Sequence, residues 1–253
     1  GNETIEAGLG TATGIINDDD PITLDISSAA VVMAEGNTDP TMFPFTITRS
    51  GDDLTTETTT VTWTVSGSGI GQPDGLDFGG SLPTGMVTFN PNDTKMTIMI
   101  PVSGDTMVED DETFTVTLSA QTGFAVLGIS AADGTITNDD TGYNIAATDA
   151  TKAEGDSGST DFTFTITRSG DRTLGGSVDY TVTPTGATDA TDFDDRVVPT
   201  NVTVNFDAGD ATPQVIIVKV AGDLTIEPDD GFNVTLSNAM GGLLGTMASA
   251  AGV

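Results

Sequence analysis

Phe43-Pro44-Phe45-Thr46-Ile47-Thr48-Arg49-Ser50-Gly51-Asp52 returns as Phe162-Thr163-Phe164-Thr165-Ile166-Thr167-Arg168-Ser169-Gly170-Asp171, at an offset of 119 (162 − 43). In the first stretch Phe43, Phe45 and Ile47 share one face, and Thr46 and Thr48 the other. That period of two marks a strand with a core side and a solvent side. Ala34-Glu35-Gly36 and Ala153-Glu154-Gly155 keep the same offset. Phe114-Thr115-Val116-Thr117-Leu118-Ser119 is answered by Phe232-Asn233-Val234-Thr235-Leu236-Ser237 at 118 (232 − 114). A repeat this long is a whole domain rather than a solenoid unit. The chain holds two copies.

Outward from these anchors, Val61-Thr62-Trp63-Thr64-Val65, Lys95-Met96-Thr97-Ile98-Met99-Ile100 and Gln214-Val215-Ile216-Ile217-Val218 alternate in the same way or form buried runs. Gly, Asp, Asn and Pro clusters punctuate them, and no segment shows helical periodicity. About seven short strands per copy predict an all-β chain of two immunoglobulin-like sandwiches. The Gly-rich stretch from Ser66 to Gly85 is expected to be a long inter-strand loop, and Trp63 to sit in the core.

Charge narrows the function classes. Lys+Arg number 7 against 38 Asp+Glu, a formal charge of −31. A nucleic-acid binder needs a basic face, so no nucleic-acid partner is expected. Anionic membrane surfaces repel such a chain, and no run reaches the roughly 18 apolar residues of a span, so no membrane insertion is expected either. Cys and His are both absent, which removes disulfides and the usual ligands of zinc, copper and haem. Abundant carboxylates point to a hard cation, calcium. The chain reads as a non-enzyme. It has no His base, no Cys nucleophile and no Gly-x-Ser-x-Gly elbow, and its duplicated acids sit where metal ligands are expected. No basic-then-apolar leader opens the sequence, so an exported chain is expected to have shed its signal.

Four motifs carry a family resemblance: Ala-Glu-Gly near the start of each copy, the Thr-Arg-Ser-Gly turn, an Asp-Phe in the middle loop, and Asp105 followed by Glu109-Asp110-Asp111-Glu112-Thr113-Phe114. The first copy closes on Gly134-Thr135-Ile136-Thr137-Asn138-Asp139-Asp140. Together these resemble the Calx-β domain of sodium–calcium exchangers, an integrin subunit and large bacterial surface proteins. The resemblance implies seven-stranded sandwiches with calcium held by loops at one pole. By position it implies metal ligands Glu35, Asp77, Asp105, Glu109, Glu112, Asp139 and Asp140 in the first copy. In the second it implies Glu154, Asp192, Asp223, Glu227 and Asp230. Asp230 stands in place of a Glu, and Asn138 stands where the exchanger domains have Asp.

The copies do not fill the chain evenly. Leu9-Gly10-Thr11-Ala12-Thr13-Gly14-Ile15-Ile16-Asn17-Asp18-Asp19 looks like the end of a repeat, whereas the second copy stops without its Gly-Thr-Ile-x-Asn-Asp-Asp strand. The expected layout is an orphan last strand in 1–20, domain one in 21–140, and domain two in 141–253 lacking its final strand. One arrangement satisfying this pattern is a head-to-tail homopolymer. Residues 9–20 of one subunit would enter domain two of the next, with Asp18, Asp19 or Asp20 completing its calcium site. Each buried Ile, Ile15 or Ile16, would contribute roughly 1.5–3 kcal/mol. The other arrangement is a cut from a longer tandem array. The expected role is a calcium-stabilised structural subunit of an extracellular filament or cell-surface array. The competing one is a segment of an adhesin that binds a carbohydrate or a surface protein.

Overall fold

Alternation becomes pleat directly in the computed structural model, which describes residues 21–27, 31–38, 40–51, 54–67, 72–226 and 228–253. The first repeat forms β1 (Ile22–Ser27), β2 (Val31–Ala34), β3 (Thr41–Ser50), β4 (Thr59–Gly67), β5 (Thr84–Phe89), β6 (Lys95–Val102), β7 (Glu112–Ser119), β8 (Ala125–Leu127) and β9 (Ala131–Thr137). The second forms β10 (Thr141–Asp149), β11 (Ser159–Gly170), β12 (Gly176–Thr185), β13 (Val202–Phe206), β14 (Gln214–Ala221), β15 (Gly231–Met240), β16 (Leu243–Leu244) and β17 (Ser249–Gly252). Two 3₁₀ turns, Ala190–Asp192 and Asp194–Arg196, precede β13. Sheet orders are β6-β3-β1-β8 and β2-β9-β7-β4-β5 in the first repeat, then β14-β11-β10-β16 and β13-β12-β15-β17 in the second. The described strands number nine and eight rather than seven apiece. The closing strand of each copy breaks in two: β8 and β16 pair in parallel with β1 and β10, while β9 and β17 belong to the opposite sheets. Among the described residues no helix is long and apolar enough to cross a membrane.

By packing, the chain divides into two compact units. One takes the described residues up to Val31 with Met42–Pro101 and Thr113–Gly134. The other takes Val32–Thr41, Val102–Glu112 and Thr135–Val253. The core of the first unit is an aromatic cluster in which Phe114 meets Phe43, Phe45 and Phe78 at ring-centroid distances of 5.5, 5.7 and 5.5 Å. The second repeats it around Phe232, with Phe162, Phe164 and Phe193 at 5.6, 5.9 and 5.6 Å. Edge-on pairs of this kind add to the apolar burial that drives folding. Phe78 and Phe193 follow Asp77 and Asp192, so the Asp-Phe motif is an apolar anchor that pins an acidic loop to the core.

The Thr-Arg-Ser-Gly motif has an equally physical reason. Arg49, 2% exposed, donates to the carbonyls of Phe89, Asn90, Leu54 and Glu57 at 3.3, 3.1, 3.1 and 2.9 Å. Arg168 does the same for Asp207 and Leu174. Each guanidinium ties down the loops that cross its end of the sandwich. Trp63, expected in the core, is only half-buried, its indole lying across Gly85 on the neighbouring strand. Of the loop expected from Ser66 to Gly85, the described residues 72–83 lie outside strands, while Ser66 and Gly67 end β4 and Thr84 and Gly85 open β5.

At the end of domain two a short strand is present: β17 pairs antiparallel with β15, with Phe232 opposite Gly252 and Thr235 opposite Ser249. Gly134 and Gly252 are the structural equivalents. A Cβ on either would lie 2.6 or 2.5 Å from the ring of Phe114 or Phe232, so only glycine lets that strand close over the aromatic cluster. The Ser-Ala-Ala-Gly run carries no apolar alternation, which hides it from a pattern search. The orphan strand assigned to 1–20 lies outside the described residues.

Candidate metal centre

Glu35 leaves β2 into a turn whose next residue, Gly36, has φ +84°. That left-handed backbone suits glycine, and it aims the Gly36 N–H at Asp139 Oδ1 (3.2 Å). The Glu35 carbonyl accepts the Thr41 hydroxyl at 2.5 Å. Asp105, in the loop after β6, accepts the Met107 N–H at 2.7 Å and so holds its own loop in a turn. Asp139 and Asp140 lie between β9 and β10. Carboxylate oxygens of Glu35, Asp105 and Asp140 lie within 4.8 Å of one another. Two oxygens on one calcium, each about 2.3–2.6 Å from it, can be no more than about 5 Å apart.

Two of the trio are buried, while Asp105 is exposed. Glu35 is 2% and Asp140 4% exposed. Asn37 donates to Asp140 Oδ1 at 2.6 Å, while Asp140 Oδ2 is buried without a hydrogen-bond partner. A buried carboxylate oxygen in that state is costly unless a cation meets it. Desolvation first, then the charges of Glu109, Asp105, Asp140 and Asp139, push the Glu35 carboxyl up to about 7. Asp140 is raised by burial, then by Asp139 and Asp105, against the opposing Asn37 bond. The donors are all carboxylate oxygens, two of them on buried residues, which fits calcium.

Beside the trio, Glu109 N–H donates to Asn138 Oδ1 (3.0 Å), Asn138 N–H donates to Asp111 Oδ1 (3.1 Å), and Asn138 Nδ2 donates to the Asp140 carbonyl (3.0 Å). Asn138 therefore works as a clamp. Its amide supplies donors that an aspartate could not. An acidic hollow of about 360 Å³ opens there among Glu109, Asp110, Asp111, Asn138, Gly170 and Asp171.

The second domain rebuilds these features. Thr160 donates to the Glu154 carbonyl at 2.5 Å, and Asp223 accepts the Thr225 N–H at 2.6 Å, as Asp105 does that of Met107. Asp192 accepts the Asp189 N–H at 2.6 Å, and Asp77 that of Asp74 at the same distance. Glu154 is raised by burial first, then by Asp223, Asp192 and Asp230, which places those four in one electrostatic group.

Of the predicted ligands, Glu35, Asp105 and Asp140 form the innermost trio, and Glu109 and Asp139 lie within reach of its field. Asp77 sits in the middle loop before Phe78, and Glu112 opens β7; both stand outside the trio. Glu227, Asp18 and Asp19 lie outside the described residues. Sequence reasoning missed Asn37, Thr41 and Thr160. The two threonines had a visible signal, since each stands six residues after the glutamate of its copy.

A sequence profile of the Calx-beta domain matches residues 17–141 and 138–251, so the chain belongs to the Calx-beta domain family. Similar solved structures include CBD12 from CALX1.2, at 17% identity over 90% of this chain and 98% of that one, with a TM-score of 0.43. The calcium binding domain CBD12 of CALX1.1 has 17% identity, 89% and 98% coverage and a TM-score of 0.42. The apo-form Calx CBD1 domain has 22% identity, covers 48% of this chain and 100% of its own, and has a TM-score of 0.41. Among curated proteins none matches the chain.

Proposed function

We propose that this chain is a calcium-stabilised structural subunit of an extracellular filament or cell-surface array, joined head-to-tail by strand donation from residues 9–20 into domain two of the next copy. The observation that carries the calcium reading is the buried, unpartnered Asp140 Oδ2 set against Glu35 and Asp105. Glu35, Asp105 and Asp140 would hold the ion, with Glu109, Glu112, Asp139 and Asp77 around them. Glu154, Asp192, Asp223, Glu227 and Asp230 would serve in the second domain. Bound calcium supplies the charge that these carboxylates need to stay together.

Two consequences fit a load-bearing extracellular element. Calcium binds the folded chain and so stabilises it by mass action, about 2.7 kcal/mol at a hundredfold excess over Kd. It also stiffens the connection between the repeats. The Asp140 carbonyl accepts the Asp171 N–H (2.7 Å), and the Thr141 hydroxyl donates to the Asp171 carbonyl, so an ion on the Asp140 side chain restrains the first residues of β10. Outside cells calcium is abundant enough to keep sites of modest affinity filled. The adhesin reading would need an aromatic platform. Among the described residues Phe124 is the one aromatic in the exposed large-apolar set, which favours the structural role.

The test is calcium titration of the purified chain with elemental analysis, followed by electron microscopy with and without residues 1–20. A chain that takes up no calcium, with a melt unchanged by EDTA, ends the calcium reading. Fibres that persist after removal of residues 1–20 end strand donation.

A further inference from the structure

β14 ends the sheet β14-β11-β10-β16, so it pairs with β11 on one side only. Its other side is met once, at Val220, where Phe193 forms a single antiparallel bridge. From Gln214 to Lys219 no described strand lies against the free edge. Such an edge offers unpaired N–H and C=O groups to any strand that reaches it. Ile216 and Val218 are buried, whereas Val215 and Ile217 stand outward, 62% and 47% exposed. Among the described edge strands of five or more residues, β14 alone shows two large apolar side chains outside; β5, β6 and β13 show one each.

Edges are commonly guarded by proline or charge. β6, the counterpart of β14 in domain one, carries Lys95 and Pro101. β14 has no proline and no carboxylate. Between Asp210 and Asp223 the one charged residue is Lys219, and it is already held by Asp161 at 2.7 Å. On β11 the residues opposite Val215 and Ile217 are Thr165 and Thr163. In a chain of charge −31, this strip is a place where two copies can touch without setting acid against acid.

We propose that β14 pairs with β14 of a second copy, antiparallel about a two-fold axis, so that one sheet runs through both molecules. Two features select a second copy over a foreign strand. The strip is self-complementary: with the axis at Ile216, Val215 of each copy lies opposite Ile217 of the other, and the outward side chains cover one another. Its ends are charge-complementary as well. Antiparallel pairing carries Lys219 of each copy toward the turn in which the Asp210 N–H donates to the Asp207 carbonyl (3.1 Å) of the other. The same register keeps Gln214 clear of the Phe193 segment, whereas an axis at Ile217 would set Gln214 against Val220. A contact this short falls below the roughly 1,200 Å² of a standard interface. The pair is therefore weak alone and gains strength wherever copies are already held side by side.

Covalent trapping suits a weak pair, and the chain has no cysteine of its own. Directly opposite residues of antiparallel strands stand roughly 4.5–5.5 Å apart at Cα, within disulfide reach, while diagonal ones stand about 7–8 Å apart, beyond it. Full-length Val215→Cys and Ile217→Cys chains are oxidised separately and mixed, in high salt that screens surface charge, and read on denaturing gels. Fast bridging is expected in the mixture and little in either chain alone. It is expected to be lost when Ile217→Lys is added to the Val215→Cys chain, and to be absent from a mixture of Thr97→Cys and Met99→Cys chains, which places the same test on β6. No faster bridging in the mixture than in the separate chains overturns the pairing. So does bridging that survives Ile217→Lys, or that β6 matches.

Discussion

At the scale of single residues, Glu35 shows how one carboxyl can act in opposite directions. Without calcium it is a buried acid among acids, so Glu35→Gln is expected to raise the melting temperature in EDTA. With calcium it is a ligand, so the same change is expected to lower the melting temperature; calorimetry in both buffers checks the reversal. The acidity of Glu35 gives a second prediction. Its folded value of about 7 lies above the ordinary 4.5, so between those values the folded chain holds a proton that the unfolded chain has released. Calcium-free stability is therefore fullest below pH 4.5 and declines as pH climbs through about 7. Calcium affinity follows the reverse course, weaker about tenfold at pH 6 than above pH 8, because the ion must displace that proton. Titration calorimetry across that range measures it, and a flat profile would remove Glu35 from the site. Arg49 makes a different kind of prediction. Arg49→Met strands four loop carbonyls, and with each unmade bond costing about 1–3 kcal/mol where burial keeps water out, a loss near 3 kcal/mol is expected in urea unfolding.

At the scale of strands, the sequence was legible where side chains alternate and opaque where they do not. β3 and β11 announce themselves through Phe-x-Phe-x-Ile, and their register follows, since Leu24 faces Arg49 as Tyr143 faces Arg168. β8, β16 and β17 are two to four residues long and are fixed by pairing across the sheet rather than by their own composition. The candidate site divides in the same way. The acids were visible by position in a repeat, but the bond from Asn37 to Asp140 joins residues 103 apart and belongs to the fold. Gly134 tests the element directly. Gly134→Ala puts a methyl 2.6 Å from Phe114, and overpacking of this kind costs typically about 1–3 kcal/mol. Gly252→Ala is expected to act on domain two through Phe232. Two separate denaturant transitions, each shifted by one of the two substitutions, would show it.

At the scale of the whole chain, the −31 charge is the quantity that calcium must offset. Sodium chloride screens surface repulsion over a Debye length of roughly 8 Å at physiological strength but leaves buried pairs nearly untouched. Salt is therefore expected to recover only part of the melting temperature lost to EDTA, and calcium all of it. Complete recovery by sodium alone would mean that the acids act as a diffuse cloud rather than as sites.

The buried guanidinium groups carry a consequence for the exterior. Arg49 and Arg168 are two of seven positive side chains, and both face inward. Of the others, Lys152 and Lys219 lie against Asp149 and Asp161 at 2.6 and 2.7 Å. With Lys95 and Arg196 among the few exposed positive groups, what a neighbouring molecule meets is strongly negative on balance. In calcium-poor water such particles keep one another at a distance and migrate fast toward an anode. As the ion is added they slow, and their osmotic virial coefficient falls.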